Sequence, residues 1–101
     1  MKILQIAAPG QVEWKDVPIP DPGPGEVLVK VESVTTCPHW DLHIMSGEPM
    51  FPGADLEYPY TPGQPGHEAM GEVVALGSDV TALTVGARVA AWRDAGHQRQ
   101  G

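Results

Sequence analysis

Residues 62–77 read PGQPGHEAMGEVVALG. Two Pro-Gly steps give way to an apolar run, Met70 to Leu76, which Gly77 closes; this punctuation marks a loop that enters a β-strand. Gly63 and Gly66 lack side chains that would block a close backbone approach, and Pro65 stiffens the turn between them. The imidazole of His67 and the carboxylate of Glu68 are therefore held where loop becomes strand.

Working outward, DPGPGEVLVKVESV (21–34) runs from another Gly- and Pro-rich turn into an alternating segment. It predicts a strand with Val27, Val29 and Val31 on one face and Leu28, Lys30 and Glu32 on the other. Lys2–Ala7 and Gln11–Val17 predict an N-terminal hairpin around Pro9-Gly10. VGARVAAW (85–92) supplies the last strand. Pro38–Met45 has room for about two helical turns, with Pro38 at an early position where its missing N–H costs nothing. Prolines 49, 52, 59, 62 and 65 exclude helix and central strand between Met45 and Gly66, leaving a long irregular loop of the kind that is usually functional. The expectation is a mainly β fold: a small, partly open β-barrel with one short helix and a long proline-rich loop. Residues 1–92 form its one domain, and 93–101 have no apolar periodicity and are expected to fray.

Composition narrows the function classes. The 101 residues suit one core, and the 42% apolar fraction can build it. Twelve glycines and eleven prolines punctuate apolar runs instead of diluting them. A formal charge of -7 repels phosphate backbones and anionic lipid, which argues against nucleic acid and membrane surfaces as partners. The opening MKILQIAAPGQVEW holds too short an apolar stretch for a secretory signal, and no run is long enough to span a bilayer. A soluble, cytoplasmic chain is expected, and the single cysteine fits a reducing compartment.

That cysteine stands in TTCPHWDLH (35–43), beside His39, Asp41 and His43. Thiolate, imidazole and carboxylate are the ligand types of zinc, and a catalytic zinc takes three protein ligands and keeps one position open. Cys37, His67 and Glu68 supply such a set if the fold joins their segments. Taken singly, Cys37 also reads as a small buried residue and His67 as a hydrogen-bonded histidine. His39 and His43, four apart, share a helix face and read either as a surface pair or as a separate two-histidine metal site.

Read in order, a valine-rich strand, Cys37, the Asp41-Leu42-His43 triplet, Gly47-Glu48, Gly66-His67-Glu68, Gly71-Glu72-Val73-Val74 and Val85-Gly86-Ala87-Arg88-Val89 resemble one known arrangement. It is the N-terminal, GroES-like catalytic domain of zinc-dependent alcohol dehydrogenases in the medium-chain dehydrogenase/reductase family. The resemblance runs from Lys2 to about Trp92. It implies that Cys37 and His67 are zinc ligands, with Glu68 close enough to exchange into the coordination shell. Asp41 resembles the aspartate that hydrogen-bonds the ligand histidine, and His43 the histidine that ends a proton relay. The spacing CPHWD is one residue longer than the family's Cys-x-x-Asp. Either the chain bulges after Cys37 or one of the two roles does not carry over. The family's Ser or Thr before the aspartate is replaced by Trp40, or by His39 counted from the cysteine.

The implied chemistry is interconversion of a small alcohol with an aldehyde or ketone, zinc acting on the substrate oxygen and NAD or NADP taking the hydride. Trp40, Met45, Met50, Phe51, Tyr58 and Tyr60 are candidates to line an apolar cleft or simply to pack the loop. No GxGxxG fingerprint follows a strand, so no cofactor-binding residue is assigned within the chain. The nucleotide-binding domain is expected as a missing partner, and the stretch alone is expected to be a fragment without activity. The alternatives are a stand-alone GroES-like binding or assembly module, and the zinc-free quinone-reductase branch, which generally lacks the cysteine and histidine ligands. Homo-oligomerisation through exposed sheet edges is left open.

Overall fold

A computed structural model describes residues 1–36, 38–53, 55–60, 66 and 68–92, the side chains of Trp40 and Trp92 excepted. The described elements, in chain order, are strands β1 (Lys2–Ala8), β2 (Gln11–Asp16) and β3 (Val27–Thr35), helix α1 (Pro38–Ser46), and strands β4 (Glu68–Leu76) and β5 (Arg88–Trp92). Five strands and one helix stand where the sequence puts them. Between α1 and β4 the described residues form no regular element, as the prolines require. The frayed tail expected at 93–101 lies outside the described residues.

The strands form two antiparallel sheets, β1-β2 and β3-β4-β5. The fold is mainly β, as expected, but the described strands leave both sheets open, with no ladder joining one to the other. Each half has its own reason to hold. In the hairpin, Ile6 of β1 is buried against α1, whose Ile44 is buried too. The Gly10 amide of the hairpin turn donates to the Met45 carbonyl at 2.7 Å, satisfying an acceptor that the helix end leaves without an intrahelical donor. In the larger sheet, Val73 of β4 is fully buried.

The expected alternation along β3 does not become a buried face. Two irregularities break its pairing with β4: Val29 pairs with Val73 after Leu28 pairs with Ala75, and Ser33 pairs with Met70 after Val31 pairs with Gly71. Val74 on β4 and Glu32 on β3 are the extra residues, and a bulge of this kind bends its strand and re-aims the side chains after it. Val31 and Val34 are about half exposed, at 49% and 50%. Across the sheet, Arg88 of β5 grips the bulged Glu32 with both guanidinium nitrogens, at 2.6 and 3.2 Å. Gly71 of β4, paired with Val31 on one side and Val89 on the other, runs beneath this contact, and a Cβ there would stand 2.1 Å from the Lys30 carbonyl oxygen. The Gly-Glu-Val-Val motif is thus a packing requirement: only hydrogen fits at its first position.

Candidate functional site

The register of β3 on β4 ends by pairing Thr35 with Glu68. Their side chains meet as well, the Thr35 hydroxyl donating to Glu68 Oε2 at 3.0 Å. In sequence, Thr35 stands two residues before Cys37 and Glu68 one residue after His67. Strand pairing therefore joins the two segments that the sequence singled out. Cys37 and His67 themselves lie outside the described residues, and among the described residues no three histidine, cysteine, aspartate or glutamate side chains cluster as a metal site.

A second link comes from α1. Asp41 is only 9% exposed, and both of its carboxylate oxygens accept from the backbone N–H of Gly66 at 3.3 Å. The helix starts at Pro38, so Asp41 sits in its first turn and reaches the residue that precedes His67. The extra residue in CPHWD does not keep this carboxylate from the Gly-His-Glu turn. Gly66 is held tightly from the other side: its φ is +93°, and a Cβ on it would stand 2.7 Å from Val34 Cγ2. A side chain would be strained at that φ and would strike β3.

His43, in the last turn of α1, is half-buried, with Nδ1 at 2.9 Å from the Glu48 backbone carbonyl. A carbonyl only accepts, so Nδ1 carries the hydrogen and Nε2 of the neutral ring keeps its lone pair. His39 is exposed, one helical turn away, its ring centre 5.1 Å from that of His43 and the planes nearly perpendicular. Two shallow grooves flank the junction. One, of about 330 Å³, is lined by Ile6, Val12, Pro38, Leu42 and Met45, with Thr36 and Asp41 as its polar residues. The other, of about 280 Å³, runs past Ser33, Thr35, Glu68 and Met70.

Of the aromatic and methionine candidates for an apolar cleft, Met45 lines the first groove. Phe51 points largely into solvent at 61% exposure, and Met50 is half-buried. Tyr58 and Tyr60 fasten the loop. The Tyr58 hydroxyl donates to the Ile44 carbonyl, the Tyr60 amide donates to the Ile6 carbonyl at 2.8 Å, and Gln5 Nε2 donates to the Tyr60 carbonyl at 3.2 Å. Burial of the Tyr58 phenol, and then repulsion from a charged Tyr60, push its pKa above the usual 10.0.

Sequence reading missed Thr35 as the partner of Glu68 and the Gly66 amide as a partner of Asp41. Its one available signal was position, Thr35 closing the strand that leads to Cys37. The Glu48 carbonyl offers no signal, since any residue has one.

Residues 23–100 match the family described as the alcohol dehydrogenase GroES-like domain. The chain belongs to that family. Among curated relatives, an alcohol dehydrogenase of Rhizobium meliloti (strain 1021) is 45% identical over 76 residues, 74% of this chain and 20% of that protein. An L-threonine 3-dehydrogenase of Symbiobacterium thermophilum is 45% identical over 85 residues, 84% of this chain and 22% of that protein. A crystal structure described as a zinc-binding dehydrogenase from Sinorhizobium meliloti 1021, bound to NADP, superposes with a TM-score of 0.64 at 35% identity, covering 86% of this chain and 23% of that one. The chain thus spans about a fifth of the length of these relatives.

Proposed function

We propose that these residues form the substrate side of a zinc-dependent oxidoreductase that interconverts alcohols with aldehydes or ketones using NAD or NADP. The observation that carries this reading is the buried Asp41 carboxylate held against the amide of Gly66, the residue before His67. It couples the segment that begins at Cys37 to the Gly-His-Glu turn, while Thr35 and Glu68 join the same two segments through the sheet. The donor set fits zinc: a thiolate at Cys37, an imidazole at His67 and a carboxylate at Glu68 are its ligand types. Bound there, the metal supplies Lewis acidity to a substrate oxygen.

The remaining residues have roles of their own. Asp41 fixes the Gly66 backbone, and the role proposed for it is to hydrogen-bond the His67 imidazole and keep that ligand basic. Thr35 holds Glu68 at the rim of its groove. His43, with Nδ1–H committed to the Glu48 carbonyl, receives a proton at Nε2 and releases it to water. Residues 1–92 form the domain, and the nicotinamide site belongs to protein outside these 101 residues, which contain no dinucleotide fingerprint. Dehydrogenase turnover by this stretch alone is not expected. Alcohols and threonine are acted on by relatives according to their names, and an alcohol or hydroxy-bearing substrate is the class proposed for this site.

Zinc titration of the 101-residue chain against a chromogenic chelator tests the reading. Cys37→Ala and His67→Ala are expected each to abolish tight binding, and Asp41→Asn to weaken it about 10- to 100-fold, the usual effect of losing a carboxylate behind a ligand histidine. Unchanged zinc content in both ligand variants overturns the proposal.

A further inference from the structure

Apart from the proposed ligands Cys37, His67 and Glu68, helix α1 carries two histidines four residues apart, His39 and His43, whose rings meet. We propose that these two histidines form a second binding site for a late first-row divalent cation such as Ni²⁺, Cu²⁺ or Zn²⁺, open to solvent and completed by water, in which the cation competes with the proton for Nε2 of His43.

Four observations carry it. The spacing of four residues on an α-helix stacks both side chains on one face. The Glu48 carbonyl takes the Nδ1 hydrogen of His43, the arrangement in which a ligating imidazole presents Nε2 as a bare lone pair. Metal–nitrogen bonds of about 2.0–2.1 Å put the centres of two imidazoles on one ion roughly 5 Å apart when the angle at the metal is near tetrahedral, and the rings here stand 5.1 Å apart. Finally, His39 is exposed and its ring has no hydrogen-bond partner among the described residues, so it turns freely to bring a nitrogen onto the same point. Imidazole ligands select Ni²⁺, Cu²⁺ and Zn²⁺ over Mg²⁺ and Ca²⁺, which take oxygen.

The test separates this site from the proposed catalytic one. In the 101-residue chain carrying Cys37→Ala and His67→Ala, Ni²⁺ is titrated by calorimetry at pH 7.5, and histidine ring resonances are followed by NMR. One Ni²⁺ per chain is expected, with paramagnetic broadening confined to His39 and His43. Adding His39→Ala, a change at an exposed position whose described contact is the His43 ring, is expected to weaken binding at least tenfold, and His39→Gln to do the same. Mg²⁺ is expected to give no heat. Failure of Ni²⁺ to bind the double variant, or affinity unchanged by His39→Ala, overturns the proposal and leaves the Cys37–His67 reading untouched.

Discussion

The hairpin-helix half and the three-stranded sheet use opposite means to stay folded. In the former, Ile6 and Ile44 are buried, and the loop is tied down by Tyr58 on the helix and Tyr60 on β1. In the latter, Val73 is the one fully buried hydrophobic side chain among the described residues, Val31, Val34, Met70 and Val74 are each 40% exposed or more, and the strand ladder carries the cohesion, with Arg88 and Glu32 adding an exposed contact. The candidate site lies on the seam. Asp41 comes from the packed half, while Gly66 and Glu68 come from the entrance to the open sheet. A polar seam between an apolar pocket and a bulged sheet fixes direction as well as distance, because hydrogen bonds are directional and hydrophobic contact is not.

The comparison breaks most readily at Gly66. Gly66→Ala adds a Cβ at 2.7 Å from Val34 Cγ2 in a backbone conformation of φ +93° that alanine resists. A loss of about 1–3 kcal/mol is expected from the strained dihedral, with more from the clash. Denaturant titration measures it, and a stability equal to the parent's would show that the seam is loose.

A smaller effect belongs to the packed half. Tyr58→Phe removes the phenol's donation to the Ile44 carbonyl and should cost about 1 kcal/mol. It carries a pH signature. Folding raises the Tyr58 pKa above 10.0, so the folded chain favours the neutral phenol. That contribution is fully present below about pH 10 and is lost as pH climbs through the folded value, because the unfolded chain ionises first. Stability between pH 9 and 11 should therefore fall less steeply in Tyr58→Phe than in the parent, and equal slopes would remove the burial argument.

The smallest effect is expected in the open sheet. Arg88 and Glu32 make a two-pronged contact, but their side chains are 61% and 38% exposed, and exposed ion pairs contribute about 0.2–1 kcal/mol. Arg88→Ala should stay within that range and shrink further in 0.5 M salt. A larger loss would mean that the bulge at Glu32 depends on the pair and that the two halves are less different than the burial pattern implies.

The order of strands, the short helix from Pro38 and the irregular stretch after it were legible in the sequence, because turn residues and apolar periodicity act over a few positions. The proposal for the site starts from residue identity as well, because Cys37, His67, Glu68, Asp41 and His43 carry donor atoms of the types that zinc and proton transfer use. Tertiary structure alone decided which residues meet. The pairing of Thr35 with Glu68 is a matter of register, in which two bulges, one on each strand, cancel, and no local pattern marks either. The contact between Asp41 and Gly66 spans 25 residues of proline-rich chain. The Nε2 lone pair of His43 is set by a backbone carbonyl that carries no sequence signature. Local preference writes the elements one at a time, whereas register and long-range hydrogen bonds arise only when the whole chain closes on itself.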